Sequence, residues 1–536
     1  MRLGALAEAA GAAWAGGAAP DGAEAVAVAR VCADSRHVAA GDLFVGLPGT
    51  RRRGADYVAD AAARVARALC VEARDADAPT VRDAGLPVLV VDDAHVALAR
   101  LASALEGYPA RSLRMVGVTG TLGKTSTVLL VQAALDAARA GIPHGVGTIG
   151  SLGARVRGPA AARVPAVALP DLDGMTTPDA PVLQRALRVM ADAGVDLVAM
   201  EVTSHALAQR RVEGVTFALG LLTNLVPDEH LEYHPTPEHY LRTKARFFDH
   251  LDPGAPIVAN ADDARVLAMV RDRTARVPRP VVWVSLGDAS PGEALVSPDV
   301  SVEALRWDAG GSTFALDVRR PLRRVDGGTV DPQTIPVVLP VLGVQQVANA
   351  AMAVTLALMA GATASGVTEA LADAEPMRRR MEIVRPAAPL VLDDTAGNPE
   401  TLRAVFASAA AFPRRTLRVA FGVRGTRGPV INQRLAAALG ALVAERAADG
   451  PVRLVVTASE DTADARNRVA DEERDVTLET LRGAGVPFDF EPRLGPALDR
   501  LLDGAAPDDV VLLLGAQGMD RAAPLLRERL ANAGRG

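Results

Sequence analysis

Cysteine is nearly absent: Cys32 and Cys70 are the only two in 536 residues, too few for a disulfide framework and in keeping with a reducing compartment. Aromatic residues are scarce at 3%, while Ala, Val, Leu and Arg abound, a balance that reads as GC-rich coding bias and carries no functional signal. No apolar run reaches membrane-spanning length, which excludes a transmembrane helix. Neither sign of charge dominates. The net charge is −6 with acids and bases interspersed, so no basic footprint for nucleic acid is present. The Ala/Gly-rich opening, 1–20, carries Glu8 inside its apolar part, which a secretory leader would avoid, and a cytoplasmic monomer is expected. What the chain does have is 49% hydrophobic and 23% charged residues over a length that calls for more than one core, and three domains are expected.

The apolar runs divide the chain into three α/β units, 1–110, 111–384 and 385–536. In the first, Ala68–Val71 and Val88–Val91 read as buried strands. In the second, apolar strands end in polar residues at Glu201, Asn224 and Asn260, and 280–340 reads as β-rich. Ligands of open parallel sheets sit at the carboxyl ends of strands, so these three side chains are expected to converge. The third unit repeats the pattern, with strands running into Asp393-Asp394, Gly422, Thr457 and Gly515.

The strongest local signal is Thr119-Gly120-Thr121-Leu122-Gly123-Lys124-Thr125-Ser126, between an apolar strand and a helical stretch. Strand, glycine-rich turn and helix wrap backbone N–H groups around a polyphosphate. Lys124 then neutralises the outer phosphates and the Thr125 hydroxyl is placed for Mg²⁺. The general phosphate-loop pattern wants glycine where this chain has Val118, so the match is to a narrower form, Thr-Gly-Thr-x-Gly-Lys-Thr. A plain Gly/Thr turn with an exposed lysine is the alternative.

Glu201 offers the carboxylate that a hard cation beside a phosphate loop requires, or else simply caps a turn. Five of the eight histidines, His205, His230, His234, His239 and His250, fall between residues 205 and 250. Without cysteine among them, and with a phosphate loop nearby, Mg²⁺ is expected in preference to zinc. His230 could contact a phosphate or assist the metal. Lys244 sits in a helical stretch, 237–248, where spacing alone makes it a solvated lysine.

Taken in order, Asp34-Ser35-Arg36, Gly41-Asp42-Leu43-Phe44, the phosphate loop, Thr176-Thr177-Pro178, Met200 to His205 and Lys244 to Phe248 resemble the Mur ligases, above all those of the MurE type. These are ATP-dependent amide ligases of peptidoglycan synthesis that add an amino acid to UDP-N-acetylmuramoyl-L-alanyl-D-glutamate. The resemblance implies a central P-loop parallel-sheet domain, a C-terminal Rossmann-like domain, and ATP and Mg²⁺ as cofactors. It implies catalytic roles for Lys124, Glu201, His230 and Lys244, with Thr125, Glu201 and a carbamoylated Lys244 at the metal. Nucleotide contacts would come from Gly120, Thr121, Gly123, Lys124, Thr125 and Ser126, joined by Asn349, Arg380 and Asp394. Ser35 and Arg36 would meet the nucleotide-sugar, and Thr176, Thr177, Thr203, Gln209 and Arg211 the muramoyl peptide.

The departures gather in the third unit, which selects the amino acid in that family. Asp394-Thr395-Ala396-Gly397 replaces Asp-Tyr-Ala-His, Val423 to Gly428 replaces the Gly-Gly-Asp-Arg-Asp region, and Gly515 to Asp520 replaces Gly-Lys-Gly-His-Glu. The Asp-Asn-Pro-Arg signature of diaminopimelate users is absent, with Ser459 to Thr462 in its place. Arg424 or Arg427 could hold an amino-acid carboxylate, or both are solvated loop arginines. Glu460 and Asp461 could face a cationic side chain. Two rival readings therefore stay open: a ligase acting on a different carboxylate, and a nucleotide-binding homologue without ligation.

Overall fold

The computed structural model describes all residues except 50–51, 138–142, 166–168, 173, 227–232, 290–294, 375–376, 466 and 534–536. His230 therefore lies outside the described residues.

Three large sheets carry the fold, and most of their parallel strands are buried along their length, whereas the antiparallel strands Gly311–Val318 and Gln333–Leu339 alternate buried with exposed positions. The first sheet has four parallel strands, β1 (Arg30–Cys32), β2 (Asp42–Val45), β3 (Ala68–Glu72) and β4 (Val88–Val91), with Ala13–Trp14 antiparallel at one edge. Both expected buried strands are here.

The central sheet has ten strands. Its parallel heart contains β5 (Arg114–Thr119), β6 (Val146–Gly150), β7 (Leu197–Glu201), β8 (Leu219–Leu222) and β9 (Ile257–Asn260). Hairpin strands flank it on both sides, and the long antiparallel ones between 300 and 339 supply the expected β-rich region. Helix α1 (Lys124–Ala137) leaves the end of β5 and packs beneath α3 (Val344–Ala360), which is buried on nearly all sides. Between them in sequence, α2 (Pro237–Ala245) begins with Pro237 at its first position and Thr236 accepting the His239 N–H at 3.1 Å. That start fixes the register that turns Lys244 inward.

The third sheet has six strands. Five are parallel, among them β10 (Leu390–Asp394), β11 (Leu417–Gly422), β12 (Val452–Thr457) and β13 (Val510–Leu514), with β13 lying between β10 and β11. The expected α/β class, with a central P-loop sheet and a Rossmann-like sheet at the C-terminal side, is what the chain adopts. No described helix is long and apolar enough to cross a membrane.

Candidate active site

The turn between β5 and α1 is held from outside itself. Asn224, at the end of β8, accepts the Leu122 N–H at 2.9 Å, and its backbone carbonyl accepts the Thr121 N–H at 2.9 Å. Thr223 donates its hydroxyl to the Leu122 carbonyl at 2.6 Å, and Thr121 shares a 2.7 Å hydroxyl contact with Tyr240 of α2. Gly120 (φ 136°) and Gly123 (φ 83°) take backbone conformations that favour glycine. A Cβ on Gly120 would strike the Thr223 hydroxyl, and one on Gly123 the Asn349 amide. The first helical bond, Thr127 N–H to the Gly123 carbonyl at 2.8 Å, leaves the first turn of α1 opening onto a cavity of about 560 Å³.

Glu201, 1% exposed, ends β7 beside that turn. One carboxylate oxygen accepts the Thr125 hydroxyl at 2.9 Å and the other the Ser151 N–H at 2.8 Å. Burial pushes its carboxyl upward, opposed first by Lys124 and then by these two donors. Lys244, 2% exposed, donates to the Gly120 carbonyl at 2.7 Å, and its ammonium is pushed well below the ordinary range by burial and then by Lys124. The solvated lysine expected from spacing is thus corrected: the capped start of α2 turns it into the protein. Lys124 reaches back to the Gly120 and Thr121 carbonyls at 3.0 and 2.8 Å.

Along one wall, Thr177 donates to the Glu201 carbonyl at 2.8 Å and accepts the Thr203 N–H at 3.1 Å. Arg211 donates to the Thr177 carbonyl at 2.7 Å and grips Gln209 through two bonds of 2.9 and 2.6 Å. Thr176 meets the Ser151 hydroxyl at 2.9 Å. Of these five, Thr176, Thr177, Thr203 and Arg211 line the cavity, and Gln209 braces Arg211 from outside it.

From the other side come Asn349, Arg380 and Asp394, all lining the same cavity. Arg380 donates to Thr395, and Asp394 accepts the Met381 and Ala396 N–H groups at 2.8 and 2.7 Å. Asp394 is therefore a clamp on the chain entering and leaving this corner.

Several expectations are corrected. Asn260 does not converge with Glu201 and Asn224; its side chain closes its own turn on the Asp262 N–H at 2.9 Å. Ser35 and Arg36, expected at the nucleotide-sugar end in the first unit, lie outside this cavity, which leaves that expectation untouched; Ser35 is buried in a short turn and Arg36 pairs with Asp34. Neither Glu460 nor Asp461 lines this cavity: Asp461 accepts the Leu494 and Gly495 N–H groups at 2.6 and 3.0 Å, and Glu460 is exposed. Arg427 is exposed, whereas Arg424 is half-buried and lines the cavity. His205, His234 and His239 stack with Tyr233 and Tyr240, and His250 lies apart, pushed down by burial. No group of three or more His, Cys, Asp or Glu among the described residues is arranged to hold a metal ion. One carboxylate with hydroxyl partners, beside a phosphate loop, fits Mg²⁺, a hard cation that takes one or two carboxylates plus phosphate oxygens. Sequence reasoning missed Ser151, whose N–H grips Glu201; a strand ending in Gly150-Ser151 was the available signal.

Comparison with known proteins agrees in every unit. The chain matches the Mur ligase family, catalytic domain, over residues 27–105, the Mur ligase middle domain over 118–357, and the Mur ligase, glutamate ligase domain, over 379–517. It is 32% identical to the UDP-N-acetylmuramoyl-L-alanyl-D-glutamate–2,6-diaminopimelate ligase of Geobacillus kaustophilus, across 90% of this chain and 88% of that one. A solved structure of a ligase of the same name superposes with a TM-score of 0.62 at 21% identity, covering 94% of this chain and 95% of the other. MurF of Thermotoga maritima in complex with ADP superposes at 0.57 and 18% identity, covering 94% and 98%. With a phosphate loop, a buried strand-end carboxylate and a buried lysine meeting in one cavity, and matches in all three units, this chain belongs to the Mur ligase family, whose members are ATP-dependent ligases that form ADP and phosphate.

Proposed function

We propose that this Mur ligase joins an amino acid to a UDP-muramoyl dipeptide in peptidoglycan synthesis, as a cytoplasmic monomer with no nucleic-acid partner. The domains we assign are 1–110 for the nucleotide-sugar, 111–384 for ATP and ligation, and 385–536 for the amino acid and adenosine. The observation that carries the reading is the convergence of Lys124, Thr125, Glu201 and Lys244 in one cavity beside the Thr177–Arg211 surface.

Lys124 and the first turn of α1 bind the β- and γ-phosphates of ATP, with Gly120, Thr121, Gly123 and Ser126 shaping the cradle and Asn349, Arg380 and Asp394 closing it. Thr176, Thr177, Thr203, Gln209 and Arg211 orient the acceptor, while Ser35 and Arg36 hold its nucleotide end. Thr125, Glu201 and Lys244, once carbamoylated, would hold Mg²⁺, and His230 would contact a phosphate or assist the metal. Bound Mg²⁺ supplies charge neutralisation at the transferring phosphoryl group. Carbamoylation needs a neutral amine: the Lys244 nitrogen bonds to the carbon of CO₂ and releases one proton, so a depressed lysine favours it.

In the reaction, an acceptor carboxylate oxygen attacks the γ-phosphorus, the bond to the β–γ bridging oxygen breaks, and ADP departs. The amine then attacks the acyl phosphate carbon and loses a proton, and the C–O bond breaks to expel phosphate. The chain's part is positioning and electrostatics. Incubation with ATP, Mg²⁺, UDP-MurNAc-L-Ala-D-Glu and an amino-acid panel tests the proposal by phosphate release and product mass. No phosphate release with any mixture would refute it.

A further inference from the structure

Gly150 and Glu201 end neighbouring parallel strands. The register pairs Ile149 of β6 with Met200 of β7, so one residue further along each strand Gly150 meets Glu201. A Cβ on Gly150 would strike the Glu201 carboxylate, so glycine is what lets the two strand ends come this close. Beyond Gly150 the chain turns at once. Gly150 pairs with Gly153, which leaves Ser151 and Leu152 as a two-residue hairpin loop. Gly153 takes φ 91°, and Arg155 Nε donates to the Leu152 carbonyl at 3.2 Å. A loop this short holds Ser151 at the rim of the cavity, which it lines.

Three bonds leave this one residue, and they reach two different walls of the cavity. The Ser151 N–H donates to Glu201 Oε1 at 2.8 Å. The Ser151 hydroxyl oxygen accepts the Thr125 hydroxyl at 3.3 Å and lies 2.9 Å from the Thr176 hydroxyl. Thr125 and Glu201 belong to the wall of the phosphate loop. Thr176 belongs to the wall that continues through Thr177 to Arg211. Ser151 is thus a bridge between the wall proposed for ATP and the wall proposed for the acceptor.

The Thr125 hydroxyl has one proton and two acceptors, Glu201 Oε2 at 2.9 Å and Ser151 Oγ at 3.3 Å. The carboxylate takes the larger share here, being nearer and the stronger acceptor. Where Glu201 Oε2 turns to a cation, Ser151 Oγ stands in place to receive the Thr125 proton. A hydroxyl that accepts more fully donates more strongly in turn, and Thr176 Oγ1 lies within reach of the Ser151 proton. The state of the first wall thereby biases the hydroxyl orientation on the second.

Resting on the ligase reading above, we propose that Ser151 is a positioning residue whose hydroxyl couples occupancy of the phosphate wall to occupancy of the acceptor wall. Such coupling is reciprocal: the acceptor tightens nucleotide binding by the same factor by which nucleotide tightens acceptor binding. The link is a short chain of hydroxyls with its middle member exposed, so the factor is modest.

Calorimetry on the full-length protein reads that factor. A non-hydrolysable ATP analogue with Mg²⁺ is titrated into the protein alone and into the protein saturated with UDP-MurNAc-L-Ala-D-Glu. The ratio of the two Kd values is the coupling factor. We expect about fivefold in the wild type and less than about twofold in Ser151→Ala or Thr176→Ala. Ser151→Ala keeps the N–H that holds Glu201, and the ratio cancels any direct change in nucleotide affinity. A merely structural role for the loop would leave this ratio unmoved. Ser151→Thr keeps a hydroxyl and should keep most of the factor. The Ser151→Ala/Thr176→Ala double variant should lose no more than either single one, because both cut the same link. Failure of UDP-MurNAc-L-Ala-D-Glu to bind the wild type would overturn the ligase reading for this acceptor and this inference with it. Acceptor binding without coupling in the wild type, or with equal coupling in wild type and Ser151→Ala, would overturn this inference alone.

Discussion

Lys124 and Lys244 share one acceptor: both side-chain nitrogens donate to the Gly120 carbonyl, at 3.0 and 2.7 Å. Two ammonium groups beside one carbonyl repel each other, and the buried one, Lys244, is pushed well below its ordinary range by burial and then by Lys124. Its folded-state pKa lies well below the ordinary 10.5, so between the two values the unfolded chain binds the extra proton. Stability therefore rises with pH across that window and levels off above it.

In CO₂-free buffer, the urea midpoint of the wild type is expected to climb with pH through this window, by about 1 kcal/mol per pH unit from this group. Lys244→Met should flatten that slope. Added bicarbonate should raise wild-type activity and melting temperature but leave Lys244→Met unchanged, and intact-mass analysis should find one bound CO₂ in the wild type alone. An equal slope in both proteins would mean that Lys244 stays charged.

Glu201 accepts the Thr125 hydroxyl at 2.9 Å, which couples the helix start to the strand end across the proposed metal position. Glu201→Gln keeps the volume and removes the charge. It is expected to lower kcat about 100-fold, equivalent to about 3 kcal/mol, and to raise the Mg²⁺ concentration needed for half-maximal rate. Thr125→Ser should retain most of the activity and Thr125→Ala little. Titrating phosphate release against Mg²⁺ checks both.

Gly123 lies against the Asn349 side chain with φ at 83°, so two separate obstacles oppose a Cβ there. Gly123→Ala is expected to weaken binding of a non-hydrolysable ATP analogue about tenfold or more by calorimetry, with the fold intact by circular dichroism. Adding Asn349→Ala removes the collision but not the backbone strain, so the double variant should regain only part of the affinity. Full recovery would show that the collision alone mattered.

The phosphate loop was legible because its chemistry depends on residues adjacent in sequence: strand, Gly-x-x-Gly, lysine and threonine follow one another. Glu201 was legible from the rule that ligands gather at strand ends. The same rule misplaced Asn260, because a short polar side chain at a strand end serves a local turn as readily as a distant ligand. Lys244 was illegible from spacing, since one residue of helix register decides whether it meets water or the Gly120 carbonyl, and Thr236 and Pro237 set that register. In the C-terminal unit Asp461 and Glu473 sit in exposed-looking polar stretches, yet their partners are backbone N–H groups of helix starts and loops that only the folded chain brings to them. Arg424 and Arg427, three residues apart, read alike in sequence and differ in the fold because only Arg424 reaches Gly397.

A last expectation concerns the corner where the chain enters the C-terminal unit. Arg379, 5% exposed at φ 57°, donates to Asp393 at 3.3 Å, to the Gly515 and Ala516 carbonyls, and to Asp520. Asp393 is wholly buried, and burial pushes its carboxyl up to about 7, with Arg379 pulling downward and Glu382 and Asp394 adding to the rise. The folded chain thus keeps a proton that the unfolded chain loses near its ordinary 3.8. Stability from this group falls as pH rises from about 4 to about 7 and is level above that. Asp393→Asn holds a neutral acceptor toward Arg379 at every pH. Its stability relative to wild type should therefore improve between pH 5 and pH 8, by ~1 kcal/mol or more. Urea midpoints at the two pH values measure this. A variant that is weaker by the same amount at both would show that Asp393 is ionised throughout, a true ion pair with Arg379, whose loss leaves a buried guanidinium without its counter-charge.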